Sequence, residues 1–575
     1  MQNGRDFALL CAVVLSGACA DDGSGAAGET ATGSSETSVT SGGPGDGSAD
    51  DGVDDGVGTA DTSGGAQDTT GDTGEPPRTE CDPFGRFGTP STSFVLPTQE
   101  RTGIYYPDVQ ESFPEVDWAD VDRLYIPAGQ YTSMSLGNLP DRSADDPLVI
   151  TNMGGQVRIG PNLPDGNYLW TMSGGSNWVL TGRWDPQSQT GDEAAPGHRC
   201  GEYGQARGNY GFWSDDAYAA REYLHMGLSV SGASAFEIEF LEIERSGFAG
   251  IRLLNPWSDG ELPMADVSVH DTYVHDTDGE GIYFGWTGGP PGNLIAGLQV
   301  FNNRFVRTGN EALQIQDIGP DSEIHHNVMA FSALHWRDNG LGAFQDGNAQ
   351  IAIREGAVSI HHNLFIGAAG SLVSFWSQPQ DGDGERMVQF ADNVIADVRN
   401  LGVYFGGTAG PDSSFEFTGN FLRGIEFTYD ALDPGAVAPT TVFRLGAEVN
   451  GVVTFSGNHW EDDLDLVGGG GDVTEADNVQ GPVEPVEFVD SGYPDGADVL
   501  RLEAWTAEST LAPGSPPRDY VEDDLVMYDA VLYRCIAANT DQPPPDYPQS
   551  WEALPTPVDD LRIVEESPYA GYGIH

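Results

Sequence analysis

From about residue 120 to residue 480, apolar and polar residues alternate over short runs and then stop at Gly, Asp or Asn, which is the local period of strands. Seven runs line up with one another: Val267-Ser-Val-His-Asp-Thr272, Leu298-Gln-Val-Phe-Asn-Asn303, Ser322-Glu-Ile-His-His-Asn327, Val358-Ser-Ile-His-His-Asn363, Val388-Gln-Phe-Ala-Asp-Asn393, Phe415-Glu-Phe-Thr-Gly-Asn420 and Val453-Thr-Phe-Ser-Gly-Asn458. Six of the seven end in asparagine, and the last positions lie 31, 24, 36, 30, 27 and 38 residues apart. A variable repeat built of strand-patterned pieces predicts a solenoid. A second alternating run follows most of these after a Gly-containing turn, as in Gly281-Ile-Tyr-Phe-Gly285, Ala312-Leu-Gln-Ile-Gln316, Gln350-Ile-Ala-Ile-Arg354, Gly402-Val-Tyr-Phe-Gly406 and Val442-Phe-Arg-Leu-Gly446. Each coil is therefore expected to hold short strands and no helix, with one set of side chains in a core and the alternate set outside. Asparagine tolerates left-handed backbone and hydrogen-bonds along a stack, which suits it to the recurring turn.

On these segments the chain resembles the right-handed parallel β-helix family, the pectate-lyase-like fold, over roughly residues 120–480. The resemblance implies an all-β solenoid and is weak about activity, because the fold hosts lyases, hydrolases, epimerases and adhesins. Leu124-Tyr-Ile-Pro-Ala-Gly-Gln-Tyr131 and Val149–Ile159 read as early coils, Trp184–Leu228 as a long loop, and Asp108–Asp120 as part of an N-terminal cap. The expected order is a signal (1–19), a polar linker (20–80), a cap (81–120), the β-helix (121–485), a connector (486–515), a small β module (516–556) and a tail (557–575).

Charge narrows the functional classes. The 25 basic residues are all arginine, against 89 Asp+Glu, for a net charge of −64. Residues 81–575 keep 74 Asp+Glu against 23 Arg, a net of −51, so the folded part is itself acidic. A nucleic-acid partner needs a basic footprint, and none exists. Lysine bases and Schiff bases are excluded, and a polyanionic substrate is disfavoured unless calcium bridges it.

At the N-terminus Arg5 precedes an apolar run, Phe7–Leu15, and then Ser16-Gly17-Ala18-Cys19. This is the pattern of an export signal, too short to span a bilayer. It resembles a bacterial lipoprotein signal, which implies lipidation at Cys19 and a surface or outer-membrane location, with ordinary secretion as the other reading. The lipid would be the only membrane attachment. Residues 20–80 are Gly, Ser, Thr, Ala and Asp, a composition that cannot bury enough surface to fold. Cys81, Cys200 and Cys535 remain, and export permits a Cys81–Cys200 disulfide.

The segment 518–556, with Tyr520, Asp524, Val526, Tyr528, Tyr533, a proline run and Trp551, resembles the small chitin-binding modules of carbohydrate-binding families 5 and 12. That implies sugar stacking by Tyr528 and Trp551, with Tyr533 read as core. Asp523 and Ala530 stand where the family usually has glycine, and Ala537-Ala538 replace an exposed aromatic cluster.

By alternation the outward row of the second strands is Arg252, Tyr283, Gln314, Arg354, Tyr404 and Arg444, a combination suited to a glycan through guanidinium and ring contacts. Glu280 and Glu311 occupy equivalent positions of neighbouring coils, where the flanking coils are expected to carry Ala249 and Ala349. Carboxylates about 4.8 Å apart approach the roughly 5–5.5 Å of retaining glycosidases. Three roles stay open for them: calcium binding with Asp276, Asp278 and Asp317 as further oxygen ligands, acid/base catalysis, or capping of turns. His335 is the acid/base histidine beside the proposed face, while His325, His326, His361 and His362 flank the asparagine turns. Asp381-Gly-Asp-Gly-Glu385 resembles only part of a calcium loop. The functional expectation is a surface-anchored, single-copy protein that binds and hydrolyses an extracellular polysaccharide, a neutral glycan such as chitin or an acidic one through calcium. The alternatives are a calcium-dependent lyase and a non-catalytic adhesin.

Overall fold

The computed structural model describes Phe87 and residues 90–574, apart from 98–102, 161–167, 183–205, 216–224, 256–263, 286–292, 337–346, 368–370, 376–383, 400, 408–411, 427–437, 447–448, 450, 462, 470–471, 495–501 and 506–517. Cys19, Cys81 and Cys200 lie outside the described residues, as do the signal and the linker.

The chain forms the expected parallel β-helix. One sheet of 23 strands carries two strands from most coils, and a 14-stranded sheet carries the other. Strands pair in parallel with their counterparts one coil on, as Ser268–His270 with Gln299–Phe301, Ser322–His325 and then Gly356–His361. The inward positions stack in register: Val269, Val300, Ile324, Ile360, Phe390, Phe417 and Phe455 form one column. All are at most 1% exposed. Each coil buries one layer of this column against the next, which explains why alternation survives while coil length varies.

The turn asparagines form a continuous ladder from Asn303 through Asn327, Asn363, Asn393, Asn420 and Asn458 to Asn478. Each backbone N–H donates to the Oδ1 of the next at 3.0–3.1 Å, and each Nδ2 reaches the same oxygen at 2.9–3.2 Å. Thr272 opens it, donating backbone N–H and hydroxyl to Asn303. The left-handed residue is not the asparagine but the one before it: Asp271, Asn302, His326, His362, Asp392, Gly419, Gly457 and Asp477 all have positive φ. This explains the Asp, Asn or Gly before most ladder positions.

Coils begin earlier than residue 121. Ser93–Val95 pairs with Arg123–Tyr131 and Ile104–Tyr106 with Met134–Leu136. The cap is a single helical turn, Val109–Ser112, whose N-cap Asp108 accepts from the Glu111 N–H at 2.7 Å. Phe94, Tyr106, Phe113 and Trp118 close the end of the core with ring centroids 4.9–5.4 Å apart.

The C-terminal residues do not hang off the solenoid. The second strands of the large sheet are buried on both faces, as in Arg304–Val306, Val328–Ala330 and Leu364–Ile366. Their outer side chains join Leu502, Leu525, Leu561, Tyr569 and Ile574 in one buried cluster. Ala504 donates its N–H to the Leu334 carbonyl, and Asp560–Ile563 pairs antiparallel with Phe488–Asp490. The expected module supplies three strands, Leu525–Tyr528, Val531–Cys535 and Trp551–Ala553, of a four-stranded sheet whose fourth, Glu503-Ala504, comes from the expected connector. The segment expected as a tail covers the coils.

Candidate functional site

Glu280 and Glu311 do stack on neighbouring coils. Ile282 pairs with Leu313, and the Gly281 N–H donates to the Glu311 carbonyl at 3.0 Å. One coil earlier, Gly250 donates to the Glu280 carbonyl, which aligns Ala249 with Glu280 as expected. On the other side Ala349 pairs with Leu313, two residues past Glu311, so Ala349 is not the flanking equivalent. Both carboxylates are buried, 2% and 1% exposed. Asn310 Nδ2 donates to Glu280 Oε1 at 3.2 Å.

His335 belongs to the same corner. Its N–H donates to the Gly309 carbonyl, and its Nε2 lies 3.2 Å from Asp278 Oδ1. The two side chains are 20% and 18% exposed, so this pair is open to solvent where the glutamates are not. Gly309 makes the approach possible: a Cβ there would stand 1.9 Å from the Asp278 carbonyl oxygen and 2.6 Å from His335 Cδ2. The fold thus brings together Asp278, Glu280, Glu311 and His335, drawn from three neighbouring turns.

Asp276 and Asp317 do not join them, so the three aspartates expected to share a cation are apart. Asp276 sits at a left-handed corner, 2.6 Å from Arg307 Nε, 2.7 Å from Arg207 Nη2 and 2.7 Å from His275 Nδ1. Burial pushes its pKa up, but the Arg307 guanidinium and the His275 hydrogen bond outweigh burial and hold it well below the carboxylate range. Asp317 occupies a bulge in Leu313–Ile318, and its Oδ1 lies 3.6 Å from Arg354 Nη1. A cation cage needs oxygens not already neutralised by guanidinium.

The outward row holds in part. Arg252, Tyr283 and Gln314 are in register, but the next position is Gln350, then Leu372, Tyr404 and Arg444. Arg354 is outside the row because Gln314 pairs with Gln350, four residues before it, and Arg354 lies past the bulge at Ile315–Ile318, beside Asp317. Arg252, Tyr283 and Gln314 are also buried, and Arg252 Nη1 donates to the Tyr168 hydroxyl at 2.9 Å. Gln350 and Tyr404 are half-buried and Arg444 is exposed, so the more accessible described part of the row runs toward Tyr404 and Arg444.

In the C-terminal sheet Trp551 is 3% exposed, packs on Tyr520 at 5.0 Å between ring centroids and donates Nε1–H to the Gln542 carbonyl. It is core, not a sugar platform. Tyr528 is half-buried against Trp505.

Pattern reading missed two groupings outside this corner. Glu237, Glu239 and His270 converge, as do Glu242, Glu244 and His275. The signal was present as a doubled Glu-Ile-Glu in one coil and a doubled Val-His-Asp in the next, with Glu239 to His270 and Glu244 to His275 each 31 residues apart.

No protein-family model matches the chain, and no curated protein does. Among solved structures it is similar to an alginate lyase from Paenibacillus sp. str. FPU-7, at 13% identity over 64% of this chain and 96% of that one, with a TM-score of 0.30. It is also similar to the catalytic unit of a GH87 alpha-1,3-glucanase from Streptomyces thermodiastaticus strain HF3-3, at 13% identity over 68% and 70%, TM-score 0.37. A third is a DFA-IIIase from Arthrobacter chlorophenolicus A6, at 12% identity over 65% and 84%, TM-score 0.31. Likeness at this level leaves activity to the residues of this chain.

Proposed function

We propose that the protein is an exported, lipid-anchored glycan-processing enzyme that hydrolyses a glycosidic bond at the corner of Asp278, Glu280, Glu311 and His335. The observation that carries this reading is the partly exposed Asp278–His335 pair set beside two buried glutamates on successive coils. A carboxylate on one imidazole nitrogen orients the ring and leaves the other nitrogen for proton transfer. In this reading His335 exchanges a proton with the leaving oxygen or attacking water, Asp278 positions it, and the stacked glutamates stabilise the positive charge that grows on the sugar ring. Tyr404 and Arg444 supply a ring and a guanidinium along the same sheet for a sugar chain. The acidity of the folded part favours a neutral glycan.

The test is incubation of the full chain with a polysaccharide panel, with and without calcium. New reducing ends that vanish in His335→Ala and fall at least 100-fold in Glu280→Gln and Glu311→Gln support hydrolysis. Unsaturated products absorbing in the ultraviolet would assign β-elimination instead, and calcium dependence would give the cation a part. Binding to a glycan with neither product would make the protein an adhesin.

A further inference from the structure

We propose that Glu237, Glu239 and His270 form a site for one divalent transition cation of the zinc type. Glu237 and Glu239 leave the same outer face of Ser234–Glu239, because Ile238 between them points into the core. His270 lies opposite Glu239 in the parallel ladder and leans back toward Glu237. Its Nε2 is 2.7 Å from Glu237 Oε1 and 4.0 Å from Glu239 Oε2, and one ligand atom from each residue lies within 4.8 Å of the others. Two donors on one tetrahedral zinc stand about 3.3 Å apart, from bond lengths near 2 Å. The separations bracket that value, so a small rotation of each carboxylate would seat the ion. His270 Nδ1 is held by Asp271 Oδ2 at 2.6 Å. That contact leaves Nε2 to face the glutamates and matches the carboxylate–histidine–metal arrangement that fixes the tautomer of a ligand. Imidazole with two carboxylates is a donor set for zinc-type ions, whereas calcium takes oxygens alone.

A second observation, independent of these contacts, comes from the same constellation five residues on. Glu242, Glu244, His275 and Asp276 repeat Glu237, Glu239, His270 and Asp271 across the asparagine turn. There a guanidinium lies alongside the group, on the Nδ1 side of His275. Arg207 Nη2 lies 2.7 Å from Asp276, 2.8 Å from His275 Nδ1 and 4.0 Å from Glu244, and Arg307 holds Asp276 from the other side. The repeated acidic geometry thus attracts positive charge, here at its Asp276 edge, while His275 Nε2 faces Glu242 at 3.4 Å. Glu237 is the most open member of the first copy, with 20% of its side chain exposed, and gives an ion its way in.

Zinc chloride titrated calorimetrically into the EDTA-stripped full chain should show a specific equivalent that Glu237→Gln and His270→Gln each remove or weaken at least tenfold. Asp271→Asn, a positioning change, should weaken it about 10- to 100-fold. Circular dichroism checks the fold of each variant, and Glu237→Gln is the one least able to disturb it. His361→Gln, in the stacked histidine column further along, should leave the equivalent intact. Zinc binding unchanged by Glu237→Gln, zinc lost only with His361→Gln, or calcium bound in preference to zinc would each overturn the assignment.

Discussion

Replacing Asp559 with asparagine should release the C-terminal cover while leaving the coils folded. Asp559 is fully buried, and its carboxylate accepts from Arg307 Nη1 and Nη2 at 2.7 and 2.8 Å and from the Tyr273 hydroxyl. Its carbonyl accepts from Arg304. Asn is the cleaner variant than Ala because Asp559 has φ +55°, a conformation Asn tolerates. Removing one partner of a buried ion pair costs about 3–5 kcal/mol. Arg307 keeps Asp276 at 2.6 Å, so its guanidinium is not stranded and the lower end applies, about 3 kcal/mol. At about 1.4 kcal/mol per decade, local opening becomes roughly 100-fold more frequent. Amide hydrogen exchange reads this directly: protection in Phe488–Asp490 and Asp560–Ile563 should fall by about that factor, while the inner coils around Asn363 and Asn393 keep theirs. Unchanged protection in those two strands, or a loss spread evenly over the coils, would refute the claim that this carboxylate anchors the cover.

Three further outcomes follow from the same contacts. Burial and Arg207 push the His275 pKa down, but hydrogen bonds to Asp276 and Glu242 and the charge of Glu244 prevail and raise it above 6.5. Stability from His275 is therefore fully present below pH about 6.5 and is lost as pH rises through the folded value. The melting temperature should decline across that window, and less steeply in His275→Gln. Asn363→Ala removes the side-chain acceptor of the Asn327 N–H and the side-chain donor to the Ile324 carbonyl, while Asn327 Nδ2 keeps the Val300 and His325 carbonyls, and should cost about 3 kcal/mol in denaturant titration. Gly309→Ala forces a Cβ into the Asp278 carbonyl and the His335 ring; turnover on the glycan identified by the panel should fall more than tenfold while the strand signal in circular dichroism persists.

How much of this was legible in the sequence depended on whether one coil sufficed to see it. The core columns and the asparagine ladder were readable because each coil repeats them. The stacking of Glu280 on Glu311 was readable too, since it needs only the register of adjacent coils. Ala349 and Arg354 were misplaced because alternation alone leaves the register open by even steps, and the true partners of Leu313 and Gln314 are Ala349 and Gln350. Asp276 looked like a free oxygen ligand because its partners Arg207 and Arg307 come from other coils. The apolar outer faces of Val328–Ala330 and Leu364–Ile366 were a visible clue that something covers them, but what covers them lies more than a hundred residues further along the chain.

The absence of lysine takes on structural meaning once the arginines are placed. Arg123, Arg252, Arg304, Arg307, Arg354, Arg386 and Arg399 are all buried. A guanidinium can spread its charge over several planar hydrogen bonds, whereas a lysine ammonium is a strongly hydrated point charge that is harder to bring inside. Arg386 reaches the Ile353 carbonyl, Arg399 lies over Trp336, and Arg304 lies over Tyr273. Positive charge is thus spent on joining coils to each other and to the C-terminal cover. The carboxylates outnumber it 74 to 23 in residues 81–575, so the outer surface is left with most of the negative charge. A polyanionic chain approaching such a surface is repelled at every rung unless a cation stands between them, while a neutral glycan meets only the cost of displacing water. The arginines that hold the solenoid together therefore also bias what it can bind.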